Sequence, residues 1–402
     1  MSWIFKKLSE ICELNIGKTP SRSDKSYWVN DGAEGEVWLS IADLTRCKSL
    51  EIFDSKERIT SKGASLFKSV KAGTLMMSFK LSIGKLAIAG RNLYTNEAIV
   101  ALPIKNNNEI DIKFLYYFLY FYDWDKESEN DVKVKGKTLN KAKLKEILVP
   151  IPSLVQQKEI VAKLDAIFAE IDKAVLATEA NISNAEALFQ SYLSEVFENN
   201  EVSKRYILDS VVTRLTNGYV GATKNIYLDS GIPYLLARHV KNNILTFDGR
   251  TFISDEFNRK NKKSILKTDD VLLVQSGHIG HSAVVPIEHE GHNCHAMIVI
   301  TTKKEVLSGE FLSLYFQSTK MKATFEKMRT GSTIKHLNCG DVKLLNIPVP
   351  SIEIQNKIIS EAKIFSNLAT LIKEKMLDKS RRLESLRRAV LSRAFNGELV
   401  KG

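Results

Sequence analysis

One short string occurs twice in this chain: Val149-Pro150-Ile151-Pro152-Ser153 returns as Ile347-Pro348-Val349-Pro350-Ser351, 198 residues later. A chain that repeats itself folds as copies of one unit, because each copy carries the same pattern of apolar and turn residues. Downstream the match runs without a gap: Gln157 meets Gln355, Ile160 meets Ile358, Leu188 meets Leu386, Leu193 meets Leu391 and Phe197 meets Phe395. Upstream the register is looser. Ala98-Ile99-Val100 faces Ala296-Met297-Ile298 at the same offset, whereas Ile83-Gly84 faces Ile279-Gly280 and Trp38-Leu39 faces Tyr234-Leu235 at an offset of 196. A Gly-x-Thr element also precedes each Pro-x-Pro, at Gly136-Lys137-Thr138-Leu139 and Gly331-Ser332-Thr333-Ile334. The chain therefore reads as a duplicated unit of globular part plus helix.

Each globular part mixes short strands with turn signals. Gly73-Thr74-Leu75-Met76-Met77 and Val271-Leu272-Leu273-Val274 read as strands. The aromatic runs Phe114 to Tyr120 and Phe311 to Phe316 read as buried helix, since dense Leu, Phe and Tyr at helical spacing usually form core and seldom stack on bases.

After each Pro-x-Pro the pattern changes to heptads. The second copy carries Ile358, Ala362, Phe365, Ala369, Ile372, Met376, Lys379, Leu383, Leu386 and Val390, and the first carries Ile160, Leu164, Ile167, Ile171, Ala174, Thr178, Asn181, Ala185, Leu188 and Tyr192. Both read as coiled-coil helices. Only about Asn199 to Arg205 separate the first helix from the second globular part, so pairing of the two seams requires antiparallel helices and a pseudo-two-fold axis. Charge agrees. Residues 153–198 hold three lysines against eight acids, and residues 351–396 hold ten cations against five acids. Exposed pairs of this kind contribute about 0–1 kcal/mol each, so they select partner and direction more than they stabilise. Two solvated faces are the plainer reading, and the basic run Arg381-Arg382 to Arg387-Arg388 has the alternative of phosphate contact. About 44 helical residues span roughly 66 Å, more than one DNA turn of about 34–36 Å.

The remaining features narrow the chemistry. At 402 residues two or three domains are expected, at roughly 100–200 residues each. Lys plus Arg outnumber Asp plus Glu by 58 to 47, a formal charge of +11, which admits an acidic partner without requiring one. Cys12, Cys47, Cys294 and Cys339 form no Cys-x-x-Cys pair, which argues against a disulfide framework and a zinc ribbon. No stretch approaches 18 apolar residues, and the N-terminal sequence lacks a secretory pattern, so the expected location is cytoplasmic. Gly17-Lys18-Thr19 is not a P-loop, because Cys12 stands where its first glycine belongs and Pro20 follows. There is no Gly-x-Gly-x-x-Gly and no Asn/Asp-Pro-Pro-aromatic tetrapeptide, so no methyl-donor site is expected in this chain. His278, His281, His289, His292, Cys294 and His295 crowd together in the manner of metal ligands. Their counterparts in the first copy include Lys85, Tyr94, Asn96 and Glu97, so the shared fold needs no metal there, and none is expected.

The order of globular part, Pro-x-Pro, long helix, twice over, resembles the specificity subunit of type I restriction-modification enzymes along the whole chain. The run Leu386-Arg387-Arg388-Ala389-Val390-Leu391-Ser392-Arg393-Ala394-Phe395-Asn396-Gly397-Glu398-Leu399 is similar to that family's C-terminal signature. Pro150-Ile151-Pro152 with Gln157, and Pro348-Val349-Pro350 with Gln355, are similar to its helix-entry motif, while Ser194-Glu195-Val196-Phe197-Glu198 departs from the Ala-Phe-x-Gly form. The resemblance implies an α+β chain: a target-recognition domain at 1–152, a helix at 153–200, a second recognition domain at 201–350, and a helix with tail at 351–402. It implies a bipartite asymmetric DNA target, half read by each domain, with a spacer measured by the helices. It implies two modification subunits docked on those helices and carrying S-adenosylmethionine, with restriction subunits adding ATP- and Mg-dependent cleavage. This chain itself would hold no cofactor and catalyse nothing.

Base and phosphate contacts are expected from polar and basic loop residues beside turn signals. In the first domain these are Lys18, Thr19, Ser21, Arg22, Lys80, Ser82, Lys85, Lys135, Lys137 and Thr138. In the second they are Asn217, Tyr219, Lys224, Arg238, His239, Lys241, Gln275, Ser276, His278, His281, Arg329, Ser332, Thr333 and Lys335. Thr138 and Thr333 serve equally well as turn or capping residues. The competing readings are a scaffold whose two ends bind proteins and a stand-alone restriction-methylation enzyme, the second disfavoured by the missing donor motifs.

Overall fold

The computed structural model describes residues 3–29, 34–127, 132–133, 136–198, 204–241, 244–329 and 336–400, with backbone alone for 132–133 and 136–138. Packing divides the chain into two compact units, one of Met1–Leu176 with Lys379–Gly402 and one of Ala177–Asp378. The globular parts at 1–152 and 201–350 thus each pack with one end of both long helices.

Unit 1 is built on a five-stranded sheet in the order Asn15–Ile16, Ile99–Leu102, Leu75–Ser78, Leu86–Ala89, Glu51–Ile52, antiparallel except for the last pair. Its three central strands are buried at every residue, because both faces are covered. Side chains alternate across a strand, so Leu75, Met77, Leu86, Ile88, Val100 and Leu102 face one apolar cluster. Met76, Ala87, Ala89, Ile99 and Ala101 face another, with Val37, Leu39 and Leu44. Each fully buried Leu, Ile or Met contributes about 1.5–3 kcal/mol. The aromatic run lies in helix Ile112–Phe121 with Phe114, Leu115 and Leu119 fully buried, so it is core as expected. The strand expected at 73–77 starts two residues later, since Gly73 takes a left-handed φ of 79° in the preceding turn.

Unit 2 repeats this plan with four strands, Val212–Asn217, Met297–Thr302, Val271–Val274 and Ser282–Val284, all antiparallel. Val271, Leu273, Ile298 and Ile300 face helix Gly309–Phe316, while Leu272, Val274, Met297 and Val299 face the other side. A smaller sheet recurs in both units with the same mixed pairing. Trp38 lies beside Tyr94 in a parallel pair and Glu57 in an antiparallel one, and Tyr234–Leu235 takes the same place beside Asn293–Cys294. The match of Trp38 with Tyr234 is therefore structural.

The long helices span Leu154–Glu198 and Ile352–Phe395, each opening directly after Pro-x-Pro-Ser. Inside unit 1, Lys163 Nζ donates to the Leu399 carbonyl at 3.2 Å, and Arg387 lies 4.8 Å above the Phe168 ring and pairs with Asp172. Positions climb along one helix as they fall along the other. Inside unit 2, Tyr192 stacks on Phe365 at 4.6 Å, Lys373 pairs with Glu186 at 2.9 Å and Asn181 meets Met376 at 3.8 Å. The pairing is antiparallel in each unit, with opposite charges facing each other. Most expected seam residues face inward, but Leu188 and Leu386 are 49% and 48% exposed. The equivalent positions one residue on, Phe189 and Arg387, make the contact instead. A helix of 3.6 residues per turn drifts from a 3.5-residue repeat by about 20° per heptad, which moves the seam by one residue in both copies.

Each helix entry is clamped by a buried glutamine. Gln157 Oε1 accepts the Asp111 N–H at 2.8 Å, and its Nε2 donates to the carbonyls of Glu109 at 2.8 Å and Pro152 at 2.9 Å. Gln355 repeats the arrangement with Ser308 N–H, Val306 and Pro350, each at 2.8 Å. Both glutamines are fully buried.

Candidate nucleic-acid interface

In unit 1 the strand Leu75–Ser78 runs into a tight loop, Lys80 to Lys85, before Leu86–Ala89 returns. Ser78 Oγ fixes the loop by accepting the Lys85 N–H at 3.0 Å and donating to the Ser82 carbonyl, and the Gly84 N–H reaches the Ser78 carbonyl at 2.9 Å. Two residues take left-handed backbone, Leu81 at φ 66° and Gly84 at φ 81°. A Cβ on Gly84 would come 2.4 Å from Trp124, so glycine is required there on both counts. The backbone of Lys137 and Thr138 pairs with Leu81 and Lys80. The loop and that strand thus share one edge, with Ser82 and Lys85 exposed and Lys80 half-exposed.

Next to it lies the Lys18–Arg22 segment. The Lys18 N–H donates to the Thr95 carbonyl at 2.8 Å, and Trp38 Nε1 donates to the Lys18 carbonyl at 3.1 Å. Lys18 and Ser21 are exposed, and Ser21 Oγ lies 2.8 Å from Ser23 Oγ. Thr19 donates to Glu97. Arg22 is committed: it pairs with Glu57, and its guanidinium lies 3.8 Å from the Trp28 ring centre and 4.9 Å from that of Trp38. The Thr19 hydrogen bond, with Lys80 and Arg22 close by, holds the Glu97 carboxyl below the usual range. Thr19, Arg22 and Lys80 therefore converge on an acid that loop chemistry alone did not single out. Lys135 lies outside the described residues, and for Lys137 and Thr138 only the backbone is described.

Unit 2 carries the same loop at Ser276 to His281. Gly277 and Gly280 take φ of 73° and 86° where Leu81 and Gly84 stand, and the Gly280 N–H reaches the Val274 carbonyl at 3.1 Å. His278 is exposed and stacks on His281, their ring centres 5.4 Å apart. Burial, His278, Lys322 and Lys241 together keep the His281 ring below the ordinary histidine value, against a hydrogen bond to the Val240 backbone. Ser276 pairs with His336, and the Leu337 N–H donates to the Gln275 carbonyl at 2.8 Å. In unit 1 the Leu139 N–H donates to Phe79 in the same way, and Asn140 and Asn338 cap the helices that follow.

The structure thereby corrects the register taken from Gly-x-Thr. The equivalent runs are Lys137-Thr138-Leu139-Asn140 and Lys335-His336-Leu337-Asn338, at the offset of 198 shared by Pro-x-Pro. His336, not Thr333, stands opposite Thr138. An ungapped count back from Pro348 finds it, but the resemblance of two Gly-x-Thr tripeptides hid it.

Other expected contacts differ in exposure. Asn217, Lys224, Arg238 and Lys241 are exposed and Tyr219 is half-exposed against Phe257. Arg238 pairs with Asp248 at 3.0 Å. His239 and Gln275 are buried. The His239 ring accepts the Leu236 N–H at Nδ1 (3.0 Å), which leaves Nε2, 3.0 Å from Asp248, to carry the proton. Burial holds this ring in its neutral form, so it secures a turn and offers no charge to a phosphate. Arg329 is half-buried beside Glu326, while Ser332, Thr333 and Lys335 lie outside the described residues. Of the remaining histidines, His289 and His292 face each other with Nδ1 atoms 3.1 Å apart, and Cys294 is a core residue whose thiol burial pushes up to about 12. Among the described residues no three His, Cys, Asp or Glu side chains are placed to share a metal ion, and no helix is long and apolar enough to cross a membrane.

Two copies of one fold, each with a hydrogen-bonded loop of polar side chains and a long helix, define a tandem recognition protein. The chain belongs to the type I restriction modification DNA specificity domain family, whose model matches residues 2–178 and again 200–379. It is 22% identical to the type I restriction enzyme EcoBI specificity subunit of Escherichia coli, over 66% of this chain and 61% of that subunit. It is 23% identical to the MjaIX specificity subunit of Methanocaldococcus jannaschii, over 99% of this chain and 93% of that one. Among solved structures, the HsdS subunit of Thermoanaerobacter tengcongensis aligns with a TM-score of 0.56 at 16% identity, covering 99% of this chain and 97% of that chain. A chain from work on complex assembly and conformational transition of the type I R-M system aligns at 0.75 and 17% identity, covering 99% and 98%.

Proposed function

We propose that this chain is the non-catalytic DNA-specificity subunit of a type I restriction-modification complex, with each unit reading one half of a bipartite asymmetric target. The observation that carries this reading is the contrast between framework and loop. Gly84 and Gly280, Leu139 and Leu337, Asn140 and Asn338, and Gln157 and Gln355 coincide, while the outward positions differ: Lys80 against Ser276, Ser82 against His278, Lys85 against His281. One scaffold carrying two sets of hydrogen-bonding groups suits two different half-sites.

The helices set the gap between half-sites and dock two modification subunits. The second helix supports docking: Ile364, Leu368 and Leu371 are 66%, 44% and 50% exposed, and their spacing of four and three residues puts them on one face. S-adenosylmethionine, ATP and Mg belong to the modification and restriction subunits, and the complex acts in the cytoplasm. Methylome sequencing of cells that express this chain with its modification subunit tests the proposal. A single bipartite motif with an unread gap is expected, and DNA binding should weaken steeply with salt. Methylation without site preference would overturn it.

A further inference from the structure

Glu97 sits among the cations of the unit 1 loop edge, with Thr19 hydrogen-bonded to it and Lys80 and Arg22 nearby. It is exposed, and the fold does not require it: the equivalent position in unit 2, two residues before Met297 as Glu97 is before Ile99, is His295. That histidine is turned to a different task, its Nδ1 lying 3.4 Å from the Tyr234 hydroxyl and its ring against Tyr219.

A carboxylate on a DNA-facing edge is repelled by phosphates and has no donor for the acceptor atoms of guanine. Its favourable partner on a base edge in the major groove is an exocyclic amine, and cytosine N4 suits it better than adenine N6, which lies beside the N7 acceptor that a carboxylate cannot satisfy. Lys18, Lys80 and Lys85 on the same edge can bind the flanking phosphates, which brings the acid close to the bases in spite of its charge. Thr19 aims one carboxylate oxygen and leaves the group's other acceptor sites for the base.

We infer that Glu97 is a specificity-determining residue of unit 1, accepting a hydrogen bond from the N4 amine of a cytosine in the half-site that this unit reads. The inference rests on the DNA-reading function proposed above, and the experiment separates the two. The wild-type chain, Glu97→Gln and Thr19→Val are each expressed with the modification subunit, and the methylated motif is read by sequencing. Absence of a bipartite motif from the wild type defeats the DNA-reading function itself.

With a wild-type motif in place, Glu97→Gln should relax one C·G position in one half-site by about tenfold and leave the other half-site untouched. Thr19→Val keeps the charge but loses its orientation, and should relax the same position by less. Its result decides the matter if Glu97→Gln fails to fold. An unchanged motif in the folded variants, or uniform weakening at every position, overturns the assignment, because a carboxylate that merely neutralises Lys80 and Arg22 would alter affinity and not sequence.

Discussion

Replacing Gln157 by leucine tests how a globular part is fixed to its helix. The change keeps side-chain bulk but strips one N–H and two carbonyls of their partners, at sites where the glutamine is fully buried. An unsatisfied buried group costs about 1–3 kcal/mol, with carbonyls toward the low end. Added apolar burial returns about 1–2 kcal/mol. A net loss of about 3 kcal/mol is expected, which for a unit of this size lowers Tm by about 6–12 °C. Gln355→Leu should cost the same within about 1 kcal/mol, since its three hydrogen bonds match those of Gln157.

The two variants can be told apart optically. Trp3, Trp28, Trp38 and Trp124 all lie in unit 1, so tryptophan fluorescence follows that unit alone, whereas far-UV circular dichroism follows both. Gln157→Leu should shift the fluorescence midpoint directly, and Gln355→Leu should act first on the circular dichroism. A fall in Tm below about 2 °C for both variants would refute the reasoning, since the clamp would then be dispensable.

Further expectations follow from the asymmetry of the copies. All seven histidines lie in unit 2, and burial holds those at His239, His281, His292 and His295 below the ordinary value. At these four rings the folded unit therefore binds fewer protons than the unfolded chain, so their contribution to its stability is complete above about pH 6.5 and declines as pH falls below that. Urea titrations at pH 7.5 and 5.5 should show circular dichroism losing stability while tryptophan fluorescence holds, and equal losses would contradict this. Leu81→Gly should raise Tm by about 1–2 °C, because relief of about 1–2 kcal/mol of left-handed strain exceeds the roughly 0.5–1 kcal/mol of glycine's added freedom. The Leu81 side chain is 54% exposed and unit 2 already uses glycine there, so a drop in Tm would mean that the side chain is held by contacts. Inserting one heptad into both long helices adds about 10.5 Å and should widen the unread gap by roughly 3 bp in the methylome, while an unchanged gap would exclude the helices as its measure.

Duplication, helix entry and helix pairing were legible without coordinates because they depend on periodicity and on chain length. Proline disfavours helix for the residue before it, heptads fix a buried face, and a linker as short as Asn199 to Arg205 leaves antiparallel packing as the available arrangement. The aromatic runs were equally plain as core. Loop residues were less legible, since a Lys, Arg or His in a turn has the same local signature whether it faces solvent or a partner. Arg22 and His239 show this: one is held by Glu57 and Trp28, the other sealed beside Asp248.

The sequence by itself determined that two homologous units exist and that each is wedded to a heptad helix, because a repeat and a period are properties of order along the chain. Tertiary structure alone decided which side chains meet. It brought Glu97 to Thr19, residues 78 positions apart, it moved the helix contact from Leu188 to Phe189, and it set His336 opposite Ser276. Such contacts arise from closing a sheet and winding a helix in three dimensions, where a shift of one residue turns a side chain from solvent to core.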